Sequence, residues 1–252
     1  MMDPVVRLPA GYVLHFHEVI DSTNEEAKRL GDKGAPSGAL IWARRQQSGR
    51  GRRGREWKSS VGNLFLSLLL RPDCPLQEAA RLTFLSALAM AEAIDIVTQG
   101  QVAPKCKWPN DLMVNDCKLC GILLESASVS GRDTDYLVIG TGVNIAFHPE
   151  DVERPSTSLA DQGAMIRVED LISAYSFRID DLLAQWQVRG FDAVRESWLA
   201  RAYGFGAPIV ARLSERTFNG TFVGLDHGGS LILKDDTGVE HVIGAGEVFF
   251  KS

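Results

Sequence analysis

The sequence predicts an α+β protein with a small all-β module at its C-terminal end. Between residues 12 and 203, short apolar runs of strand length alternate with longer segments whose apolar residues recur at helical spacing. After residue 206 the pattern changes to short alternating runs separated by turn-forming pairs such as Asn219-Gly220. The chain has 252 residues, 45% hydrophobic and 23% charged, which is enough for one substantial core and a small appendage.

The first helix is predicted from its N-terminal signals. Ser22 and Glu25 match a capping box, in which the serine hydroxyl and the glutamate carboxylate satisfy free backbone N–H groups. This pattern predicts a helix from about Thr23 to Gly31 or soon after. The capping role and a ligand-binding role are compatible, because a helix start presents N–H groups and short polar side chains to its surroundings.

The remaining elements follow from apolar runs and turn residues. Strands are predicted over residues 12–20, 38–46, 63–70 and 136–146, and a hairpin or meander with Asn115-Asp116 as its turn over residues 105–126. Residues 76–98 carry apolar side chains at helical spacing directly after Pro75, which predicts one long buried helix. Two more helices are predicted over residues 168–187 and 191–203, separated by Gly190. Four or five strands are predicted over residues 208–250, and the boundary between the two parts is placed near Gly206.

Charge and composition exclude several classes of protein. The net charge of −5 and the isoelectric point near 5.6 argue against a protein that binds nucleic acid over its whole surface. The N-terminus lacks a secretory signal pattern, and charged residues interrupt the longest apolar stretch. Four cysteines in a chain of this length do not suggest a disulfide framework. We therefore expect a cytoplasmic protein that binds neither a membrane nor nucleic acid.

Positive charge is concentrated in one segment, residues 49–57 with the sequence GRGRRGREW, which we term the arginine loop. Glycines allow its backbone to approach an anion closely, and its four arginines can neutralise phosphate. The spacing Gly49-x-Gly51-x-x-Gly54 matches a dinucleotide-binding fingerprint, but no helix is predicted directly after it. Arg55-Glu56 after the last glycine excludes a Walker loop. A solvated basic loop or a nucleic-acid patch remains the alternative.

A second motif, KWPND at residues 107–111, lies shortly before Lys118. It supplies a carboxylate, an amide and a lysine on a predicted hairpin, although proline and Asn-Asp are also ordinary turn residues. Together with the arginine loop it offers the groups that nucleotide chemistry needs: phosphate-neutralising cations and a carboxylate that can face a metal ion. Cys117 and Cys120 would point to opposite faces of a strand, and no second ligand pair is present, so a zinc site is not favoured.

Five motifs occur in an order and spacing that resemble the biotin protein ligases. They are Asp21-Ser22-Thr23-Asn24, Gln46 followed by the arginine loop, KWPNDL, KLCGIL and the run from Ile139 to Asn144. The resemblance extends from about residue 19 to 250. It implies a catalytic domain similar to class II aminoacyl-tRNA synthetases over residues 1–205, with a mixed sheet flanked by helices, and a C-terminal SH3-like β domain over residues 206–252.

The resemblance also implies a two-step reaction. The carboxylate of biotin attacks the α-phosphate of ATP, giving biotinyl-5′-AMP and pyrophosphate with the assistance of Mg²⁺. A specific lysine of a biotin carboxyl carrier protein then attacks the mixed anhydride and releases AMP. No cluster of side chains reads as a metal site, so Mg²⁺ is expected to arrive with ATP, near Asp111.

Site residues are carried over at matching positions only. The resemblance assigns catalysis to Lys118, Arg52 and Asp111. It assigns biotin binding to Ser22, Thr23, Asn24, Gln46, Arg50, Gly51, Arg52, Lys118 and Gly121. It assigns nucleotide binding to Arg50, Arg52, Trp57, Asn110, Asp111, Lys118 and Asn144.

Two further expectations and two alternatives complete the sequence-based interpretation. About twenty residues precede Asp21, which suggests the monofunctional form without an N-terminal DNA-binding domain, and related ligases suggest a homodimer. A lipoate–protein ligase shares the same chemistry and is the nearest alternative. A nucleic-acid-binding regulator that uses the arginine loop and the C-terminal module is an alternative of another class, and its affinity would fall steeply with salt.

Overall fold

A computed structural model of the chain describes residues 5–127, 135–150, 154–213 and 216–250. Its strands are β1 (Val13–Ile20), β2 (Ala39–Gln46), β3 (Leu64–Leu70), β4 (Lys105–Lys107), β5 (Asp111–Val114), β6 (Cys117–Ala127), β7 (Tyr136–Val143), β8 (Pro208–Arg212), β9 (Thr217–Leu225), β10 (Leu231–Lys234), β11 (Glu240–Ile243) and β12 (Glu247–Phe250). Its α-helices are α1 (Thr23–Asp32), α2 (Leu76–Ala79), α3 (Leu82–Val97), α4 (Val168–Arg189) and α5 (Phe191–Ala200). Within the described ranges, no helix combines the length and apolar character needed to cross a bilayer.

Seven strands form one mixed sheet in the order β1-β2-β3-β7-β6-β5-β4. β1 and β2 are parallel, because α1 connects them, and every other neighbouring pair is antiparallel. The hairpin between β5 and β6 turns at Asn115 and Asp116, whose φ angles are 47° and 64°. Two consecutive residues with positive φ are typical of a type I′ turn. The predicted α+β class, the strands and this turn are confirmed.

The two faces of the sheet pack against different helices, as the two-residue period of a strand requires. Leu40, Trp42, Leu66 and Leu68 belong to the larger hydrophobic cluster, which includes α3, α4 and α5. The strand residues that alternate with them face α1. Together with Ala27 of α1 they form a smaller cluster, whose strand members are Ala39, Ile41, Leu69, Tyr136 and Val138. β3 is buried on both faces, so its sequence LFLSLLL shows no alternation.

The predicted long helix over residues 76–98 is wrong in one respect, because the structure has two helices there. α2 ends at Ala79 and α3 begins at Leu82. At the break, the N–H groups of Arg81, Thr83 and Phe84 each donate to the carbonyl three residues earlier. This tighter 3₁₀ bonding replaces the α-helical pattern. Packing against Phe191 supplies the reason: the Arg81 guanidinium lies 5.5 Å from its ring centroid, and the Phe84 ring contacts it edge to face.

The predicted capping box of α1 is also wrong, although the helix begins where predicted and Ser22 is its N-cap residue. The Ser22 side chain makes no capping hydrogen bond. Its backbone N–H donates to Asp21 Oδ1 at 2.7 Å, and Glu25 is held by Lys28 Nζ at 3.0 Å. The carboxylate that would complete the box is therefore used by an ion pair instead.

The C-terminal strands form a separate antiparallel sheet in the order β11-β10-β9-β8-β12. Its buried residues, including Phe222 and Ile209, are continuous with the larger cluster beside the seven-stranded sheet. Trp108 Nε1 donates to the carbonyl of Gly229 at 3.0 Å across this junction. The small sheet is thus packed directly beside the KWPND motif.

Asn63, which precedes β3, fixes the backbone that follows β7. Its Oδ1 accepts hydrogen bonds from the N–H groups of Ile145, Ala146 and Phe147 at 2.9, 3.0 and 3.1 Å. Its Nδ2 donates to the carbonyl of Phe147 at 2.8 Å. The side chain is buried, so water cannot replace these bonds.

We expect Asn63→Ala to lower the free energy of unfolding by about 3 kcal/mol, because buried N–H groups would lose their acceptor. Denaturant titration measures this. Gln187→Ala, at an exposed position of α4, is the matched control and should change stability by less than about 0.5 kcal/mol. A loss of stability for Asn63→Ala as small as that of the control would contradict this role.

Candidate active site

The register of four strands places an aromatic residue, two glycines and an aspartate in one row on the α1 face of the sheet. Phe65 lies opposite Gly142, Gly142 opposite Gly121, and Gly121 opposite Asp111. In the middle of this row two glycines carry no side chain, so other groups can approach the backbone closely there. The sheet therefore has a trough there, bounded by an aromatic ring on one side and a carboxylate on the other.

A cavity of about 320 Å³ lies over this trough. Every candidate site residue named from the sequence lines it. These residues are Ser22, Thr23, Asn24, Gln46, Arg50, Gly51, Arg52, Trp57, Asn110, Asp111, Lys118, Gly121 and Asn144. They come from the start of α1, the end of β2, the arginine loop and strands β5 to β7, so the fold brings together residues that are far apart in the chain.

At one end of the cavity, the start of α1 and the end of β2 form a polar network. The N–H and Oγ1 of Thr23 both donate to Gln46 Oε1, at 2.9 and 3.1 Å. Ser67 Oγ donates to Asn24 Oδ1 at 2.6 Å and contacts Thr23 Oγ1 at 2.8 Å. Since its oxygen is occupied, Gln46 has its amide N–H groups left for other partners, of which Ser59 Oγ is one at 3.3 Å.

Near the middle of the cavity, Lys118 and Asp111 form an ion pair. Lys118 Nζ lies 2.6 Å from Asp111 Oδ1, and the Asp111 side chain is only 12% exposed. The contact is not aligned as a hydrogen bond, so Oδ1 is buried without a directed donor. The position of Lys118 is fixed through its backbone, which is bonded to Pro155 and Thr157. Its ammonium group is therefore held by the strand and by Asp111 together.

Arg52 enters the cavity from the arginine loop and contacts Asn110. Its Nη1 donates to Asn110 Oδ1 at 3.1 Å, while Asn110 Nδ2 donates to the carbonyl of Ile122 at 2.5 Å. Burial lowers the pKa of the Arg52 guanidinium, and the charge of Asp111 acts in the opposite direction. Within the described part of the chain, no carboxylate lies at ion-pair distance from Arg52. It is therefore a half-buried cation whose charge is not directly paired.

Trp57, at the end of the arginine loop, lies on the two glycines of the trough. A Cβ atom on Gly142 would be 2.5 Å from its Cε2, and one on Gly121 would be 2.9 Å from its Cζ3. Lys118 Nζ is 5.5 Å from the centre of the indole ring. Trp57 Nε1 is buried without a partner in the described structure. Only glycine at both positions lets the indole approach the sheet this closely.

One glutamate of the C-terminal sheet binds the arginine loop. Glu247 Oε1 lies 2.7 Å from Arg55 and 3.3 Å from Arg53, and its Oε2 lies 2.7 Å from Arg154. Burial alone would raise the pKa of this carboxyl, but Arg154, Arg55 and Arg53 outweigh it and lower the pKa. The carboxylate is therefore ionised at neutral pH, and these ion pairs are lost only as the pH falls below the ordinary value for glutamate, about 4.3.

Asn144 has a structural partner at the cavity wall. Its Nδ2 donates to the carbonyl of Thr157 at 3.0 Å, and its backbone bonds to Leu119 and Leu159. This side chain thus joins the end of β7 to the segment after residue 154. Its sequence-based assignment to the nucleotide remains a prediction.

Sequence reasoning missed several residues of the site. Ser67 is the one polar residue in the apolar run of β3, and Glu125 is a charged residue inside β6, so both gave a signal that could have been used. Glu247 and Arg154 gave none, because their contacts join residues 93 or more positions apart. Cys120 is fully buried, and burial raises the pKa of its thiol, so it has no part in the chemistry of the site.

The geometry is suited to an anionic ligand that also carries a polar group. Lys118 and Arg52 contact the adjacent residues Asp111 and Asn110, and the polar network of α1 and β2 lies at one end of the cavity. Such cations stabilise charge that develops on phosphate oxygens, and a buried site strengthens their effect.

Comparison with known proteins agrees with this geometry. Residues 16–144 match the biotin/lipoate A/B protein ligase family, and residues 204–251 match the biotin protein ligase C-terminal domain. The chain is 38% identical to the biotin–[acetyl-CoA-carboxylase] ligase of Paracoccus denitrificans, over 91% of this chain and 97% of the relative. It is 33% identical to the bifunctional ligase/repressor BirA of Bacillus subtilis, over 93% of this chain and 73% of that protein.

A solved structure has the same fold. The biotin protein ligase of Aquifex aeolicus in complex with biotin and ATP superposes with a TM-score of 0.81 at 27% identity, covering 94% of this chain and 99% of that one. The mixed sheet flanked by helices, with its small antiparallel C-terminal sheet, is thus the class II synthetase-like architecture that the motifs implied. The chain belongs to the biotin protein ligases of the biotin/lipoate A/B protein ligase family.

Proposed function

We propose that this enzyme activates biotin with ATP and transfers it to a lysine of a biotin carboxyl carrier protein. In the first step an oxygen of the biotin carboxylate bonds to the α-phosphorus, the bond to the bridging oxygen breaks, and pyrophosphate leaves. In the second step the neutral amine of the acceptor lysine attacks the acyl carbon, the bond to AMP breaks, and the amine loses a proton.

The observation that carries this proposal is the cationic pair formed by Lys118 and Arg52 over the glycine trough. Lys118 is fixed by β6 and Asp111, whereas Arg52 is supplied by a glycine-containing loop and has no carboxylate partner within the described residues. A carboxylate and an α-phosphate between these two cations would be held close together while negative charge develops on the phosphate. The polar network at the start of α1 is then left for the ureido ring of biotin.

Magnesium fits the site only as a companion of ATP. Within the described residues, no group of three or more histidine, cysteine, aspartate or glutamate side chains could hold a metal ion. Asp111, whose buried Oδ1 has no directed donor, would be the protein ligand, since Mg²⁺ usually binds one or two carboxylates and substrate phosphates. When bound, the ion would neutralise phosphate charge.

The roles of the arginine loop follow from the instability of an acyl-adenylate in water. A loop that lies over the intermediate excludes water and retains it until the acceptor arrives. Arg50, Arg52 and Trp57 would cover biotin and the nucleotide in this way. A homodimer and a cytoplasmic location remain further expectations.

The direct test is incubation of the protein with ATP, Mg²⁺, biotin and a biotin carboxyl carrier domain, followed by detection of biotin on the carrier. Biotin-dependent pyrophosphate exchange measures the first step alone. Replacing biotin with lipoate decides between the two ligases that share this family, and exchange with lipoate in place of biotin would overturn the proposal.

Lys118→Ala should reduce biotin-dependent pyrophosphate exchange by about 10²- to 10³-fold, because it removes a preorganised cation from the reacting phosphate. Lys105→Ala, at an exposed position of β4, is the matched control and should retain normal exchange. Near-normal exchange in Lys118→Ala would refute the assignment.

Arg52→Gly should release biotinyl-5′-AMP into solution, because the loop loses the side chain that anchors it to Asn110. The readout is biotin on lysines of a bystander protein, which free adenylate acylates without enzyme. Arg52→Lys keeps the charge but loses the planar donor pair, and should leak less. If Arg52→Gly labels the carrier as selectively as the wild type, Arg52 does not retain the intermediate.

Glu247→Gln should loosen the arginine loop, because it replaces the charged partner of three arginines with a neutral amide. We expect trypsin to cleave within residues 49–57 about fivefold faster, which corresponds to about 1 kcal/mol of local opening. Glu240→Gln, exposed on β11 of the same sheet, should leave the cleavage rate unchanged. Equal cleavage rates for the two variants would show that Glu247 does not hold the loop.

A further inference from the structure

Glu125, on β6, lies at the end of the polar network and lines the same cavity. Its Oε2 accepts a hydrogen bond from Asn24 Nδ2 at 2.7 Å, and its Oε1 accepts one from Lys28 Nζ at 2.6 Å. No role in the reaction follows for Glu125 from the motifs of the sequence. Both of its oxygens are occupied by donors from α1, so it acts on the site through those neighbours.

We propose that Glu125 is a positioning residue that sets the direction of the hydrogen bonds in the biotin pocket. The proposal rests on the proposed function, because it assigns the polar end of the cavity to the ureido ring. The hydrogen-bonded side chains in question run from Glu125 through Asn24 and Ser67 to Thr23 and Gln46.

The direction begins at Glu125 because a carboxylate can only accept hydrogen bonds. Burial would raise the pKa of this carboxyl, but the hydrogen bonds from Lys28 and Asn24 outweigh it and lower the pKa, so the group is ionised at neutral pH. Asn24 must therefore turn its amide nitrogen towards Glu125 and its oxygen towards Ser67.

The same logic continues along the chain. Asn24 Oδ1 can only accept, so Ser67 Oγ donates its single proton to it over 2.6 Å. Ser67 then has only lone pairs to offer Thr23. The hydroxyl proton of Thr23 is used within the network, by Ser67 Oγ or by Gln46 Oε1. Towards the cavity, Thr23 presents lone pairs and Gln46 presents N–H groups.

This arrangement is complementary to a cyclic urea, which has N–H donors and a carbonyl acceptor side by side. Thr23 Oγ1 can accept from a ureido N–H while Gln46 Nε2 donates to the ureido oxygen. The amide group of Asn24 packs closely against Gly140 of β7, in space that a Cβ atom at that position would occupy. The glycine beneath Asn24 allows this close seat on β7.

Glu125→Gln tests the direction without removing the contact. Lys28 requires an acceptor, so the new amide turns its oxygen to Lys28 and its nitrogen to Asn24. Two donors would then face each other, and Asn24 would flip its own amide. Ser67 would have to donate to Thr23 instead, which leaves Thr23 Oγ1 one lone pair fewer for the ureido N–H. We expect the KM for biotin in pyrophosphate exchange to rise about tenfold, with the KM for ATP unchanged.

The compensating variant makes the test specific. Asn24→Asp alone places two carboxylates in contact and should also raise the KM for biotin about tenfold or more. In the double variant Asn24→Asp with Glu125→Gln, the glutamine nitrogen donates to the new aspartate, and that aspartate again accepts from Ser67. The original direction is restored, so the KM for biotin should return to within about threefold of wild type.

Thermal unfolding of all four proteins and calorimetric titration with biotin accompany the kinetics. Recovery of biotin affinity in the double variant supports the proposal, since a merely structural defect would add rather than cancel. Wild-type affinity in Glu125→Gln overturns it, and so does a double variant as weak as the single ones. If the wild-type protein binds no biotin, the proposed function itself fails, which is a distinguishable result.

Discussion

The compensation of positive charge is the interaction on which the candidate site depends. Arginines and lysines from three parts of the chain surround one cavity, and each would repel the others at this distance. Carboxylates hold most of them: Glu25 pairs with Arg50, Asp111 with Lys118, and Glu247 with the arginines at positions 53, 55 and 154. Among the described residues, Arg52 has no carboxylate at ion-pair distance, so its charge is available to a ligand. An anion that enters the cavity can therefore compete with carboxylates that are already in place.

The sheet gives this charged surface its shape. The row from Phe65 to Asp111 crosses four strands, and its two glycines open a trough that a larger side chain at either position would close. The trough is formed by the paired strands β3, β7 and β6, and β6 also carries Lys118, whereas Arg52 above it comes from the arginine loop. This arrangement suits a reaction in which the sheet holds one substrate in place and the arginine loop later moves to expose the intermediate.

Much of the fold could be predicted from the sequence, because period-two patterns and turn residues act locally. The strands and the Asn115-Asp116 turn are of this kind. The break between α2 and α3 could not be predicted, since it arises from packing on Phe191, which lies more than a hundred positions further on. The capping box failed because the carboxylate of Glu25 pairs both with Lys28, three residues further on, and with the more distant Arg50. Local patterns do not record such competition.

The residues that line the site could be predicted, but the hydrogen bonds and ion pairs that hold them could not. Motifs identified residues from five segments, and all of them line one cavity. Glu125 and Glu247 were missed, because a glutamate in a strand has no local pattern that reveals what it pairs with. Their contribution is to hold other residues in place, which becomes visible only when the strands are assembled.

In the proposed reaction, the arginine loop gives up its contacts with carboxylates of the protein and binds the anionic groups of the ligands instead. Hydrogen exchange of the backbone amides of residues 49–57, with and without biotin and ATP together, measures this most directly. The account predicts that the two ligands slow exchange in this segment by about tenfold or more, while β11 is unaffected. Unchanged exchange in the loop at saturating biotin and ATP would contradict it.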